Sequence, residues 1–156
     1  MLHVALWEPE IPPNTGNIAR LCAATGSPLH LIGRLGFRLD ERSLRRAGLD
    51  YWDAVTVHRH ADLADFEEWR RAQGHAPDRC FVYSTQARRP YTDVAYQLGD
   101  CLLFGGESRG LPAETLARFD DRVLTIPMPA GRVRSLNLAG AVGIVVYEAL
   151  RQLHAW

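Results

Sequence analysis

Cys101-Leu102-Leu103-Phe104-Gly105-Gly106-Glu107-Ser108-Arg109-Gly110-Leu111-Pro112 is the stretch that decides how this chain folds. The apolar run reads as a buried strand, the paired glycines break it, and Pro112 suits the first turn of a helix. Strand, turn and helix in that order form one unit of an α/β fold, and the chain repeats it. Leu2 to Trp7 has strand composition; after the Pro-rich turn 9 to 13, Asn14 is expected to cap a helix through about Thr25, stopped by Gly26. Leu29 to Ile32 reads as strand, Asp40 to Ala47 as a short Arg-rich helix, Ala54 to His58 as strand, and Asp62 to Gln73 as a helix acidic at its start and basic at its end. Cys80 to Tyr83 and Cys101 to Phe104 are buried strands, Pro112 to Phe119 a short helix, Val123 to Ile126 a strand, and Leu136 to Leu153 a long closing helix. Strands alternating with helices predict an α/β domain with a mostly parallel, helix-covered sheet.

The 156 residues, 47% of them hydrophobic, suffice for a sizeable core, and no Pro/Gly/Ser-rich linker divides them, so 1–156 read as a single domain. Eighteen basic and eighteen acidic residues cancel, so nucleic-acid binding would need a local patch. Every one of the basic residues is arginine. The absence of lysine excludes a P-loop lysine, a Schiff base and pyridoxal chemistry. Cys22, Cys80 and Cys101 lie far apart with no C-x-x-C, which suits buried thiols in a reducing compartment. No basic-then-apolar leader opens the chain and the apolar stretch near its end is too short to span a bilayer, so a cytoplasmic protein without membrane association is expected.

The three asparagines, Asn14, Asn17 and Asn137, all fall in three glycine-bearing or polar segments: 14 to 20, 104 to 112 and 134 to 138. Each segment follows a predicted strand, and ligands of parallel sheets bind beyond the strands' C-terminal ends. The three are therefore expected to form one site. Gly106-Glu107-Ser108-Arg109-Gly110 also fits G-x-S-x-G, the turn that presents a hydrolase nucleophile, with Ser108 in that role. That alternative needs an acid and then a histidine further along, which leaves Asp120 or Asp121 and His154, two residues from the end. A noncatalytic RNA-binding module is a third class. His58-Arg59-His60 reads as a surface strand end, since no further ligand for a metal is evident and no metal is expected. Arginines cluster at 34 to 46, at 88 and 89, and at 132 and 134, where they could grip phosphates. Gly140 and Gly143 inside the closing helix cost about 1 kcal/mol each relative to alanine, which suggests close helix approach, as between subunits.

Asn14 to Arg20, Phe104 to Pro112 and Ser135 to Leu138, in this order, resemble the three signature motifs of the SPOUT superfamily of RNA methyltransferases. Leu6-Trp7-Glu8-Pro9-Glu10-Ile11-Pro12-Pro13-Asn14-Thr15-Gly16-Asn17 and Leu44-Arg45-Arg46-Ala47-Gly48-Leu49-Asp50-Tyr51 are similar, more narrowly, to the tRNA (cytidine/uridine-34) 2′-O-methyltransferases. The resemblance implies a C-terminal trefoil knot, a homodimer, and S-adenosylmethionine as methyl donor with S-adenosylhomocysteine as product. It implies methyl transfer to the ribose 2′-hydroxyl of nucleotide 34 in the tRNA anticodon stem-loop. Tyr83, Gly105, Ile126 and Ser135 would form the cofactor pocket, where main-chain groups can read the adenine edge and so call for glycine at 105 and 106. Arg20 would act on the 2′-hydroxyl, Asn14 would orient Arg20 or the ribose, and Glu107 would fasten loops through an arginine. Ser135 and Asn137 complete the catalytic set and are expected to cap the closing helix; Arg45, Arg46, Arg132 and Arg134 would contact RNA. Two departures stand out: Gly106, where many relatives carry proline, and the segment 127 to 134, about one residue longer than usual.

Overall fold

A computed structural model describes residues 1–40, 42 and 51–156. The buried runs of the sequence become strands β1 (His3–Trp7), β2 (Leu29–Ile32), β3 (Val57–His60), β4 (Cys80–Tyr83), β5 (Arg89–Pro90), β6 (Cys101–Phe104) and β7 (Val123–Thr125). They join one parallel sheet in the order β3-β2-β1-β6-β4-β7-β5. The central strands β1, β2, β4 and β6 are buried on both faces, as a parallel sheet covered on both sides requires. One face, with Val4, Leu6, Leu29, Leu31, Phe81 and Leu102, packs under α1 (Pro12–Thr25) and α4 (Leu138–His154). The other, with Ala5, Ile32, Val82 and Leu103, packs under α2 (Leu63–Ala72) and α3 (Ala113–Phe119).

Three expectations need adjustment, and one strand was not foreseen. Asn14 does not cap α1: the helix starts at Pro12, with Ile11 as the flanking residue, because proline costs nothing where no intrahelical N–H bond exists. Asn14 is the third residue of the first turn, buried, with its side chain free for other partners. The strand expected over 54 to 58 shifts to 57 to 60, since Trp52–Ala54 form a 3₁₀ turn and the pairs His30 with His58 and Ile32 with His60 set the register. The two-residue β5, with a proline, was invisible to pattern; proline is tolerated there because β5 is an edge strand. The closing helix starts at Leu138, capped by Asn137, whose Oδ1 accepts the Gly140 N–H at 3.3 Å; Ser135 lies two residues upstream and does not cap it. The Arg-rich helix expected over 40 to 47 falls largely outside the described residues.

β3 is an edge strand and Arg59 is exposed, as a surface strand end requires, but on the opposite face His58 is half-buried and His60 buried, against that expectation. His3, His30 and His60 are buried and hydrogen-bonded in a line, His3 Nδ1 to His30 Nε2 and His30 Nδ1 to His60 Nε2, each at 3.0 Å. Trp69 of α2 lies against His30 and His58, with ring centroids 4.7 and 4.8 Å away. Among the described residues no cluster of His, Cys, Asp and Glu has the geometry of a metal site.

Candidate active site at the crossing of three loops

The strand order runs outward from β1 in one direction through β2 and β3 and in the other through β6 and β4, so the C-terminal ends of β1 and β6 flank a point where connections diverge. Crevices form at such points. The segments after β1 and β6 meet there with the one before α4, and one carboxylate joins the first two. Glu107 Oε2 accepts the Glu10 N–H at 2.7 Å, and its Oε1 accepts the Ile11 N–H at 3.1 Å and Asn14 Nδ2 at 3.4 Å. Asn14 Oδ1 in turn accepts Asn137 Nδ2 at 2.9 Å. All three sequence motifs thus hang on Glu107, Asn14 and Asn137. Glu107 fastens the loops through main-chain N–H groups and Asn14, where an arginine was expected.

Glu10, unnoticed as a functional side chain in the sequence, mirrors this bond. Its carboxylate accepts Ser108 Oγ at 2.6 and 2.8 Å and the Ser108 N–H at 3.2 Å. Those donated hydrogen bonds hold the Glu10 carboxyl below the usual carboxylate range. The exchange, Glu10 holding Ser108 while Glu107 holds the Glu10 main chain, ties the 106 to 110 turn onto the segment leaving β1. Glu8 there has φ +48°, a conformation costly outside glycine, and donates its N–H to the Ile32 carbonyl at 2.8 Å. Glutamates on either side of a proline were the available signal.

The glycines have a tighter cause than a ligand. A Cβ on Gly105 would lie 2.3 Å from the Gly110 carbonyl carbon, and one on Gly106 would lie 2.6 Å from the Glu8 carbonyl oxygen. The turn folds onto itself, with the Gly110 N–H donating to the Gly106 carbonyl at 2.9 Å, and onto the strained Glu8. Ser108 meets no histidine: its hydroxyl is held by Glu10, the histidine line lies under α2, and His154 stacks on Trp156 with centroids 4.9 Å apart. The geometry does not assemble a hydrolase triad.

The remaining residues separate. Tyr83 is buried and stacked on Phe104 at 4.7 Å; its hydroxyl is paired with that of Tyr96 at 3.0 Å, which donates to the Tyr91 carbonyl, so only main-chain groups of Tyr83 are open to a ligand. Burial pushes that phenol well above its ordinary range. Ile126 is half-buried just past β7 and Ser135 is exposed. Between 127 and 136, among the described residues, a single main-chain hydrogen bond forms, Gly131 N–H to the Met128 carbonyl at 3.1 Å. The loop's other main-chain amides and carbonyls have no main-chain partner among the described residues and are donors and acceptors of the kind an adenine edge calls for, so the residues present fit a nucleoside-bearing cofactor. Arg20 stands apart from the network. It lies six residues beyond Asn14 in α1, about 9 Å along the axis and about 240° around it, is exposed, and holds its guanidinium 5.1 Å from the Tyr51 ring centroid. Arg132 and Arg134 are exposed on the loop before α4; Arg45 and Arg46 lie outside the described residues.

The profile of the SpoU rRNA Methylase family matches residues 1–147. The chain belongs to the SpoU methylase family. A tRNA (cytidine(34)-2′-O)-methyltransferase of Yersinia pestis is 49% identical over 154 residues, 98% of this chain and 94% of that protein. A solved structure described as giving insight into 2′-OH methylation of C/U34 on tRNA is 51% identical and covers 100% of this chain and 98% of its own, with a TM-score of 0.87. An AdoMet-bound rRNA methyltransferase of Sinorhizobium meliloti is 34% identical over 97% of this chain and 56% of its own, with a TM-score of 0.81. The SpoU fold thus accounts for the seven-stranded parallel sheet. None of the chain's described helices is long and apolar enough to cross a membrane.

Proposed function

We propose that this SpoU family chain transfers a methyl group from S-adenosylmethionine to the ribose 2′-hydroxyl of nucleotide 34, a cytidine or uridine, in the anticodon stem-loop of tRNA. The observation that carries the reading is the Glu107–Asn14–Asn137 network, which joins all three motifs in a chain almost half identical to C34 methyltransferases over nearly its whole length. Residues 1–156 act as one SPOUT-type domain, in the cytoplasm.

Main-chain groups at Tyr83, Gly105 and Ile126 and the loop to Ser135 would hold the cofactor, which when bound supplies an electrophilic sulfonium methyl. The chain's own task is to place the 2′-oxygen in line with that carbon and to stabilise the charge that gathers as its proton leaves. A guanidinium carries charge but scarcely gives up a proton, so Arg20 steadies the developing alkoxide or grips the neighbouring phosphate. Glu107, Asn14 and Asn137 act as positioning residues that lock the three loops in register. Arg45, Arg46, Arg132 and Arg134 contact the RNA backbone.

Arg20 stands away from the network of its own chain, which favours a homodimer in which each site is completed across the interface. Along α4, Ile144 and Tyr147 are 40% and 47% exposed, and a Cβ at Gly140 or Gly143 would meet nothing within 4 Å. Nothing among the described residues demands those glycines, and a second α4 packed against them would. The trefoil knot belongs to the same reading: the chain leaves β7 near one end of the sheet and returns to lay α4 beside α1 over its middle.

Nucleoside mass spectrometry of unmodified tRNA incubated with protein and S-adenosylmethionine tests the proposal. A 2′-O-methylated nucleoside mapped to position 34 is expected; methylation elsewhere, or none, refutes it. A fluorophosphonate is expected to leave Ser108 unlabelled.

A further inference from the structure

At the opposite end of the strands from the three loops, α2 and α3 part to leave a cleft of about 580 Å³ that reaches Cys80, the first residue of β4. Its ion pairs do not balance. Both glutamates that line it are taken, Glu67 by Arg118 Nη2 at 2.9 and 3.1 Å and Glu68 by Arg71. Arg70 and Arg122 have no carboxylate partner among the described residues. Arg122 instead donates Nη1 to the Pro77 and Cys80 carbonyls, each at 2.9 Å, with its guanidinium 5.0 Å from the Phe119 ring centroid.

Arg70 is the sharper case. It belongs to the inward stripe of α2 with Leu63 and Phe66, is 5% exposed, and spends one donor, Nη2, on the Ala76 carbonyl at 3.1 Å. A guanidinium has five N–H donors, and no Arg70 nitrogen is sealed away from the surface without a partner, so those not spent on Ala76 stay open to the cleft. An inward position on an amphipathic helix normally goes to an apolar residue. The positive charge is felt nearby: after burial, it is the largest cause holding His75 below its ordinary range.

We propose that this cleft is an anion site, in which Arg70 and Arg122 receive a phosphate group while Leu63, Phe66 and Phe119 face the apolar part of the molecule that bears it. Planar guanidinium forks suit phosphate oxygens in pairs, and the volume fits a ligand of nucleotide size. The phosphate belongs either to a free phosphorylated small molecule or to an RNA backbone that reaches round from the methyl-transfer loops.

The test uses the full chain saturated with S-adenosylhomocysteine, so that a nucleotide cannot register through the methyl-transfer site. Thermal unfolding is followed against inorganic phosphate and adenosine 5′-monophosphate, and tRNA affinity is measured alongside, for wild type, Arg70→Met and Arg122→Gln. Arg70→Met keeps an unbranched apolar stem and removes the buried charge, so in anion-free buffer it should melt no lower than wild type. A saturable rise in Tm with either small anion in wild type, absent in both variants, is the expected result. If only tRNA responds, with affinity falling several-fold in both variants, the phosphate comes from the RNA backbone. Equal responses in all three proteins, or no response to any of the three ligands, would overturn the proposal.

Discussion

Glu107 shows how much one side chain can organise at residue scale. Its carboxylate receives two main-chain N–H groups and Asn14, and hydrogen bonds to charged acceptors are worth about 1.5–3 kcal/mol each. Glu107→Ala should therefore lower Tm by about 5 °C or more for a chain of this size and cut methyl transfer further than S-adenosylhomocysteine affinity. A calorimetric scan and a binding titration on the same sample check both parts. Gly105→Ala carries a harsher expectation, because its Cβ would sit 2.3 Å from backbone that cannot swing aside; loss of the soluble folded protein on expression is the anticipated outcome. Arg20→Ala touches neither network nor core. It should abolish methylation yet leave S-adenosylhomocysteine binding within a few-fold, and turnover at the wild-type rate would remove Arg20 from the mechanism.

Among the elements, α4 is the one whose two sides ask for different environments. Val142, Val145, Val146 and Ala149 are fully buried in the core, whereas Ile144 and Tyr147 stand out beside two glycines that no described residue crowds. Ile144→Asp should leave the fold intact and shift a dimer to monomer in analytical ultracentrifugation. Activity should fall with it if each site draws on both copies. A monomeric wild type would rule out that arrangement. At the other end of the fold, β3 shows the limits of pattern: Ala54 to His58 and Val57 to His60 are equally plausible strands by composition, and pairing with β2 chooses between them.

For the whole molecule, the histidines couple stability to pH. Burial is the first cause holding His3 at about 4 and His30 at about 2, with neighbouring imidazoles adding to it. His60 is lowered by burial while Asp65 pulls the other way, and Arg70 adds to the depression of His3 and His75. Folded-state values below the ordinary 6.5 mean that the unfolded chain takes protons first. Stability is then whole above about pH 6.5 and declines as pH falls toward 4, by up to about 2 kcal/mol per buried ring at pH 5. Urea unfolding at pH 7.5 and 5.0 measures this, and an unchanged midpoint would contradict it.

Sequence by itself determined the alternation of elements, the identity of the three loops and the family, because strand periodicity, glycine punctuation and motif order are local properties carried by residues such as Phe104, Gly105 and Asn137. Tertiary structure alone decided which partners these residues meet. Glu107 finds main-chain N–H groups and Asn14 93 or more positions away, Gly106 is demanded by the Glu8 carbonyl, and His3, His30 and His60 line up only once β1, β2 and β3 lie side by side. Strand order and register join residues far apart in the chain, and the energy of those contacts exists only after the sheet has closed over its core.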